Sequence, residues 1–330
     1  MTAEDNPSPP LVLVGGNLGR NDGVDYVARF RADFPHVRFL SYEEDPGVLE
    51  RNLAEADAVI GGVPDALLPR ARRLRWVSST GAGAGGLTGA AFRARPEIVV
   101  TTVSGVHTAA VPEHVLAMLF AFARRLPEQI LNQHGAHRFY WPEGMFEVEG
   151  QTMGILGLGH IGRELATKAR GVGMRVVGWR RRDEPVEEGL LDHQYRHDQL
   201  LELLGVADHV VITLPLTAAT RHLIGRRELA AMKRGAYLFN VGRGAVIDQG
   251  ALLAALREGV IAGAGLDVTD PEPLPPDDPL WEQPNCILLT HYAGLTPKYG
   301  PRAYRILADN LRRFLDGSPL CNVVDKEAGY

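Results

Sequence analysis

Short apolar runs recur along this chain, each closed by glycine or by polar residues. Leu11-Val-Leu-Val14 leads into Gly15-Gly16, and Ala58-Val-Ile60 into Gly61-Gly62. Val37 to Leu40, Leu74-Arg-Trp-Val77 and Ile98 to Thr101 have the same form, as do Val210 to Leu214, Tyr237 to Asn240, Ala264 to Val268 and Cys286 to Thr290. Runs this short, bounded by turn residues, predict strands. Gly47 to Ala56 and Ala303 to Leu315 instead place apolar residues at helical spacing. So does Glu113 to Leu126, where Val115, Met118, Leu119, Phe122 and Leu126 form one stripe and Pro112 suits the first turn. Strands alternating with helices predict an α/β protein whose parallel sheets carry helices on both faces.

One stretch, Thr152 to Arg182, is more specific. An apolar run precedes Gly157-Leu-Gly-His-Ile-Gly162, a helical pattern follows, and a second run, Met174 to Trp179, ends in Arg180, Arg181 and Arg182. This is the first half of a dinucleotide-binding unit. Gly157 allows the tight turn, Gly159 lets backbone approach a pyrophosphate, and Gly162 brings the helix close to the sheet. The helix N-terminus offers N–H groups and partial positive charge to the phosphates. At the end of the second strand, an acidic residue would bind a plain ribose 2′-hydroxyl. Arginines there pair with a 2′-phosphate, which points to NADP(H) in preference to NAD(H).

Composition narrows the function classes. A length of 330 residues suits two domains, and 45% apolar with 23% charged residues is ordinary for a globular protein. A net charge of −5 speaks against nucleic-acid binding. Two cysteines, Cys286 and Cys321, make no disulfide framework. The acidic, proline-rich MTAEDNPSPP is no signal peptide, and no apolar stretch is long enough for a membrane span, so a cytoplasmic protein is expected. His134 and His137 form an HxxH pair with no further ligands at metal spacing, and no metal is expected.

Four polar groups fall near strand ends in the second half: Arg243, Asp267, Glu272 and His291. Reduction of a 2-keto acid needs such groups. A guanidinium holds a carboxylate or polarises a carbonyl, an imidazolium donates a proton, and a neighbouring carboxylate orients the imidazole. Taken singly, each also has a plain structural reading: a solvated arginine, a turn cap, a proline-rich surface loop, one histidine among 11.

Seven segments in order carry a family resemblance. They are Gly105-Val-His107 with Glu113-His114-Val115, the GLGHIG turn, Leu214-Pro-Leu-Thr217, Asn240-Val-Gly-Arg-Gly244, Leu266-Asp-Val268 with Glu272-Pro273, Thr290-His291 with Ala293-Gly294, and Asn322-Val-Val-Asp325. With them the chain, from about Trp76 onward, resembles the D-isomer-specific 2-hydroxyacid dehydrogenases, and within them the glyoxylate/hydroxypyruvate reductase branch. The resemblance implies two Rossmann-like doubly wound domains with an active-site cleft between them. A discontinuous substrate domain would take residues 1–105 and 296–330, and a dinucleotide domain residues 106–295. It implies Arg243 as the substrate arginine, His291 as general acid and base, and Glu272 as its carboxylate partner. Gly157, Gly159, His160, Ile161, Gly162, Arg180, Arg181, Arg182, Leu214, Pro215, Thr220, Val241, Gly242 and Asp267 would line the cofactor, with Asp267 beside the nicotinamide. Gly81, Ala82 and Gly83 would hold the substrate carboxylate through an anion nest of N–H groups.

The resemblance also implies a homodimer through the cofactor domain, using the aromatic segment around Phe139, Tyr140 and Trp141. Two departures stand out. Thr290 replaces the proline usual before the histidine, and Ala84-Gly85 replaces a usual Val-Asp. Neither removes a catalytic group. The rival expectations are a phosphite-type dehydrogenase and a dinucleotide-sensing, corepressor-like protein.

Overall fold

Alternation along the strands sorts the core into layers. The computed structural model describes residues 9–16, 18–181 and 185–329. In chain order the elements are β1 (Leu11–Val14), α1 (Tyr26–Asp33), β2 (Arg38–Ser41), α2 (Gly47–Asn52), β3 (Ala58–Ile60), β4 (Trp76–Ser78), α3 (Ala90–Arg93) and β5 (Val99–Thr101). Then come α4 (Ala110–Ala123), α5 (Leu126–His134), β6 (Thr152–Leu156), α6 (His160–Gly171), β7 (Arg175–Trp179), β8 (His193–Tyr195) and α7 (Leu200–Val206). The last are β9 (His209–Ile212), α8 (Arg226–Ala231), β10 (Tyr237–Asn240), α9 (Gln249–Arg257), β11 (Gly263–Leu266), β12 (Cys286–Leu288) and α10 (Tyr299–Asp316).

The chain divides into two units, one of Met1–His107 with Leu295–Tyr330 and the other of Thr108–Gly294. In the first, five parallel strands run in the order β2-β1-β3-β4-β5. Val12, Val14, Ala58, Ile60 and Trp76 pack with Phe30 of α1 and with Leu307 and Leu311 of α10. Leu11, Leu13, Val59 and Val77 pack instead with Leu49 of α2 and with Leu53 just after it. The two-residue period of the strands thus supplies one apolar face to each helix layer.

The second unit is a seven-stranded sheet in the order β12-β11-β10-β9-β6-β7-β8, parallel throughout. Met153, Ile155, Val176, Val211 and Phe239 face Val115 and Leu119 of α4 and Leu165 of α6. Leu156, Val177, Val210, Ile212 and Leu238 face Leu203 of α7, Leu229 of α8 and Leu252 of α9. The strand order reverses between β6 and β9, the place where open α/β sheets bind ligands at their carboxyl ends.

Two elements differ from expectation. The single helix expected over 113–126 is two, α4 and α5, because Arg125 takes a left-handed φ of 55° and Pro127 restarts the chain in the first turn of α5. Strand β8, His193-Gln-Tyr195, was absent from the apolar pattern because it is a polar strand at the sheet edge. Among the described residues, no helix is long and apolar enough to cross a membrane.

Candidate active site

The carboxyl ends of the second unit's strands gather the expected residues along one edge of one sheet. From β12 to β7 in sheet order they are His291, then Asp267 and Glu272, then Arg243, then Leu214, then the Gly157–Gly162 turn, then Arg180. Arg182 lies outside the described residues.

The glycine turn follows from close approach. Gly157 sits at φ 105°, a backbone conformation that glycine enters without a Cβ clash. A Cβ on Gly162 would stand 2.0 Å from Gly157 O, so α6 can lie this near the turn only with glycine there. A Cβ on Gly159, the residue capping α6, would meet nothing within 4 Å. The turn therefore has the shape a pyrophosphate needs: backbone at its surface and a helix N-terminus behind it. His160 and Ile161 open α6, and Arg180 and Arg181 follow β7 directly.

Leu214, Pro215 and Thr220 belong to a turn closed on itself. Thr220 Oγ1 donates to Pro215 O at 2.7 Å and accepts the Thr217 N–H at 2.8 Å. After β10, the Val241 N–H donates to Ile212 O at 3.1 Å, and the Gly242 N–H to Asn240 Oδ1 at 3.0 Å. Asn240 Nδ2 donates to Arg243 O at 2.9 Å, fixing the backbone from which the exposed Arg243 side chain projects. A Cβ on Gly244 would fall 1.9 Å from Thr269 O, so the Arg243 loop is pressed against the segment leading to Glu272.

That segment is tied down in turn. The Asp270 N–H donates to Gln249 Oε1 at 3.1 Å, and Thr269 Oγ1 to Pro271 O at 2.9 Å. Glu272 Oε1 bonds His291 Nδ1, and both side chains are partly open to solvent. With Nδ1 engaged, Nε2 is the ring nitrogen left for a reacting group. His291 itself has a left-handed φ of 55°.

Asp267 is buried beneath this pair. Its backbone O accepts the His291 N–H at 2.8 Å, and its carboxylate accepts N–H bonds from Tyr292 at 3.0 Å and Ala293 at 3.2 Å. Burial works against the charge, yet the His114 ring and these N–H groups hold the carboxyl below the usual carboxylate range. Beside the contact expected with a nicotinamide, the structure thus records a brace under the histidine loop. His114 Nε2 stands 3.4 Å from Asp267 Oδ1. In the sequence, His114 belongs to the first of the seven matching segments and has no role of its own there. Its one signal was a polar ring that, with Glu113, interrupts the otherwise apolar helix AVPEHVLAMLFAFA.

In the first unit, the loop after β4 holds Gly81, Ala82 and Gly83, all half-buried. The Gly81 N–H donates to Ser79 Oγ at 3.0 Å and Gly81 O accepts from Val103 N–H at 3.1 Å. The N–H groups of Ala82 and Gly83 carry no hydrogen bond among the described residues.

Comparison with known proteins finds relatives in sequence and in fold. Residues 116–293 match the sequence model of "D-isomer specific 2-hydroxyacid dehydrogenase, NAD binding domain". The glyoxylate reductase of Aeropyrum pernix is 39% identical over 287 residues, covering 83% of this chain and 84% of that one. A D-isomer specific 2-hydroxyacid dehydrogenase of Xanthobacter autotrophicus, solved with NADPH and MES, superposes with a TM-score of 0.84 at 30% identity, over 98% of this chain and 100% of that one. An NADPH-dependent glyoxylate/hydroxypyruvate reductase of Sinorhizobium meliloti, solved with NADP and sulfate, gives 0.82 at 28% identity, over 97% and 99%.

Proposed function

The chain belongs to the D-isomer specific 2-hydroxyacid dehydrogenases, and from that premise we propose that it reduces a small 2-keto acid, glyoxylate or hydroxypyruvate, to the D-2-hydroxy acid, with NADPH as the preferred reductant. One observation carries the reading. The bonded His291–Glu272 pair and the exposed Arg243 lie on the same sheet edge as a glycine turn shaped for a dinucleotide.

Gly157, Gly159 and Gly162, with the α6 N-terminus, hold the pyrophosphate, and Arg180 and Arg181 take the 2′-phosphate. The nicotinamide, when bound, supplies the hydride. Arg243 pairs with the substrate and polarises its keto group. His291 gives its Nε2 proton to the keto oxygen as the alkoxide forms, and in the oxidation direction takes it back. Glu272 orients the ring through Nδ1 and favours its charged form. Ala82 and Gly83 offer consecutive N–H groups to the substrate carboxylate. Partners other than substrate and cofactor reduce to a second copy of the chain through the cofactor unit, and the two free thiols suit a reducing cytoplasm.

The test is a panel of 2-keto acids assayed with NADPH and with NADH. Turnover of glyoxylate or hydroxypyruvate with higher kcat/KM for NADPH is expected. Binding of NADPH without turnover of any 2-keto acid refutes the enzyme reading. Arg180→Asp should move the cofactor ratio toward NADH; an unmoved ratio removes the 2′-phosphate assignment.

A further inference from the structure

The loop that carries His291 is held in a conformation its sequence does not favour. A non-glycine residue at φ 55° is uncommon and needs surrounding contacts to keep it there. Those contacts converge on Asp267. Its backbone O and its carboxylate together receive the N–H groups of three successive residues, His291, Tyr292 and Ala293. The carboxylate is only 2% exposed, so its charge depends on the partners the fold supplies. A carboxylate has about four acceptor sites, and two backbone N–H groups do not fill them.

The side chain that faces the remaining capacity is His114. It sits on α4, whose 14 residues pack through Val115 and Leu119 into the same core as β6, β7 and β10. Its Nε2 lies 3.4 Å from Asp267 Oδ1, and its ring meets the Tyr292 ring edge-on at 5.1 Å between centroids. His114 therefore touches the histidine loop twice, once through Asp267 and once through Tyr292.

Granting the role of His291 proposed above, on which this rests, we infer that His114 is a positioning residue for the proton transfer and acts through Asp267. It ties the buried carboxylate to a rigid helix, and the carboxylate ties down the loop that aims His291 Nε2. Without it the carboxylate can rotate and the loop can relax by a fraction of an ångström. Misplacement on that scale is costly in rate, because proton transfer depends on short, aligned contacts.

The experiment compares His114→Leu with His114→Gln, whose amide N–H can still reach Asp267. For His114→Leu, kcat for glyoxylate should fall about ten-fold. KM and the NADPH dissociation constant should stay within about two-fold of the parent. His114→Gln should recover most of kcat. In an Asp267→Asn background the His114→Leu change should add little, because both act on one contact. An unchanged kcat for His114→Leu, no recovery with His114→Gln, or full multiplication of the two effects overturns the inference. Should His114→Leu fail to fold, His114→Asn, with a shorter amide, takes its place. If the parent protein turns over no 2-keto acid, the functional reading alone falls. The positioning role is then decided by the imidazole NMR signals of His291, assigned through His291→Gln. His114→Leu should shift them and His114→Gln should leave them near the parent positions; signals unmoved by His114→Leu overturn it.

Discussion

His291 is held at two separate atoms, and the division sets what each neighbour does. The backbone N–H goes to Asp267 and ring Nδ1 goes to Glu272, which leaves Nε2 for the proton transfer proposed above. Replacing the ring by an amide keeps a polar group of similar reach but removes proton transfer. His291→Gln is therefore expected to lower kcat by ~10²–10⁴-fold with little change in NADPH affinity; steady-state kinetics with a fluorescence titration measure both, and a near-parental kcat would remove His291 from the mechanism. At this scale Arg243, Glu272 and His291 were legible as residue types after strands. Asp267 was legible as a polar strand end, but its brace was not, because three N–H groups reach it from a loop 24 to 26 residues away in sequence.

Among the elements, the turn from β6 into α6 shows how one missing side chain sets a helix position. Gly162→Ala puts a methyl group 2.0 Å from Gly157 O, where backbone must shift. We expect a loss of about 1–3 kcal/mol in stability, typical of overpacking, and weaker NADPH binding because the turn itself moves. Thermal unfolding and a binding titration check this, and parental values for both would contradict it. The glycine spacing alone pointed to this turn. Strand β9 holds a less visible feature: it begins on His209, which is buried in a ring cluster with Phe146 and Tyr237. Burial pushes its pKa down to about 4 from 6.5. Below pH 6.5 the unfolded chain takes a proton that the native ring refuses. Stability is thus fully present above about pH 6.5 and lost as pH falls toward about 4, by on the order of 3 kcal/mol. The acid limb of stability against pH should be shallower in His209→Gln than in the parent, and equal slopes would assign the loss elsewhere.

For the molecule as a whole, the exposed apolar residues are the part that neither core absorbs. Leu131 is 74% exposed, Phe139 93% and Trp141 80%, all on α5 or just after it. An apolar and aromatic surface of this kind is unusual on a monomer and suits an interface. Sedimentation equilibrium should give about twice the 36.0 kDa chain mass, and Leu131→Asp with Trp141→Asp should return the monomer. A monomeric parent protein would contradict the dimer.

By itself the sequence determined the class of the protein and nominated the members of its proposed site. Strand period, glycine spacing and the residues after each strand are local properties, and local sterics and burial impose them wherever the chain runs. Only tertiary structure decided which groups support which. The split of α4 from α5, the polar edge strand β8, the burial of His209 and the contact of His114 with Asp267 all depend on neighbours distant in sequence. Apolar periodicity reports burial against a sheet or helix layer. It cannot report which buried polar group will find its partner across that layer, because that depends on a meeting of two elements and on the geometry with which they pack.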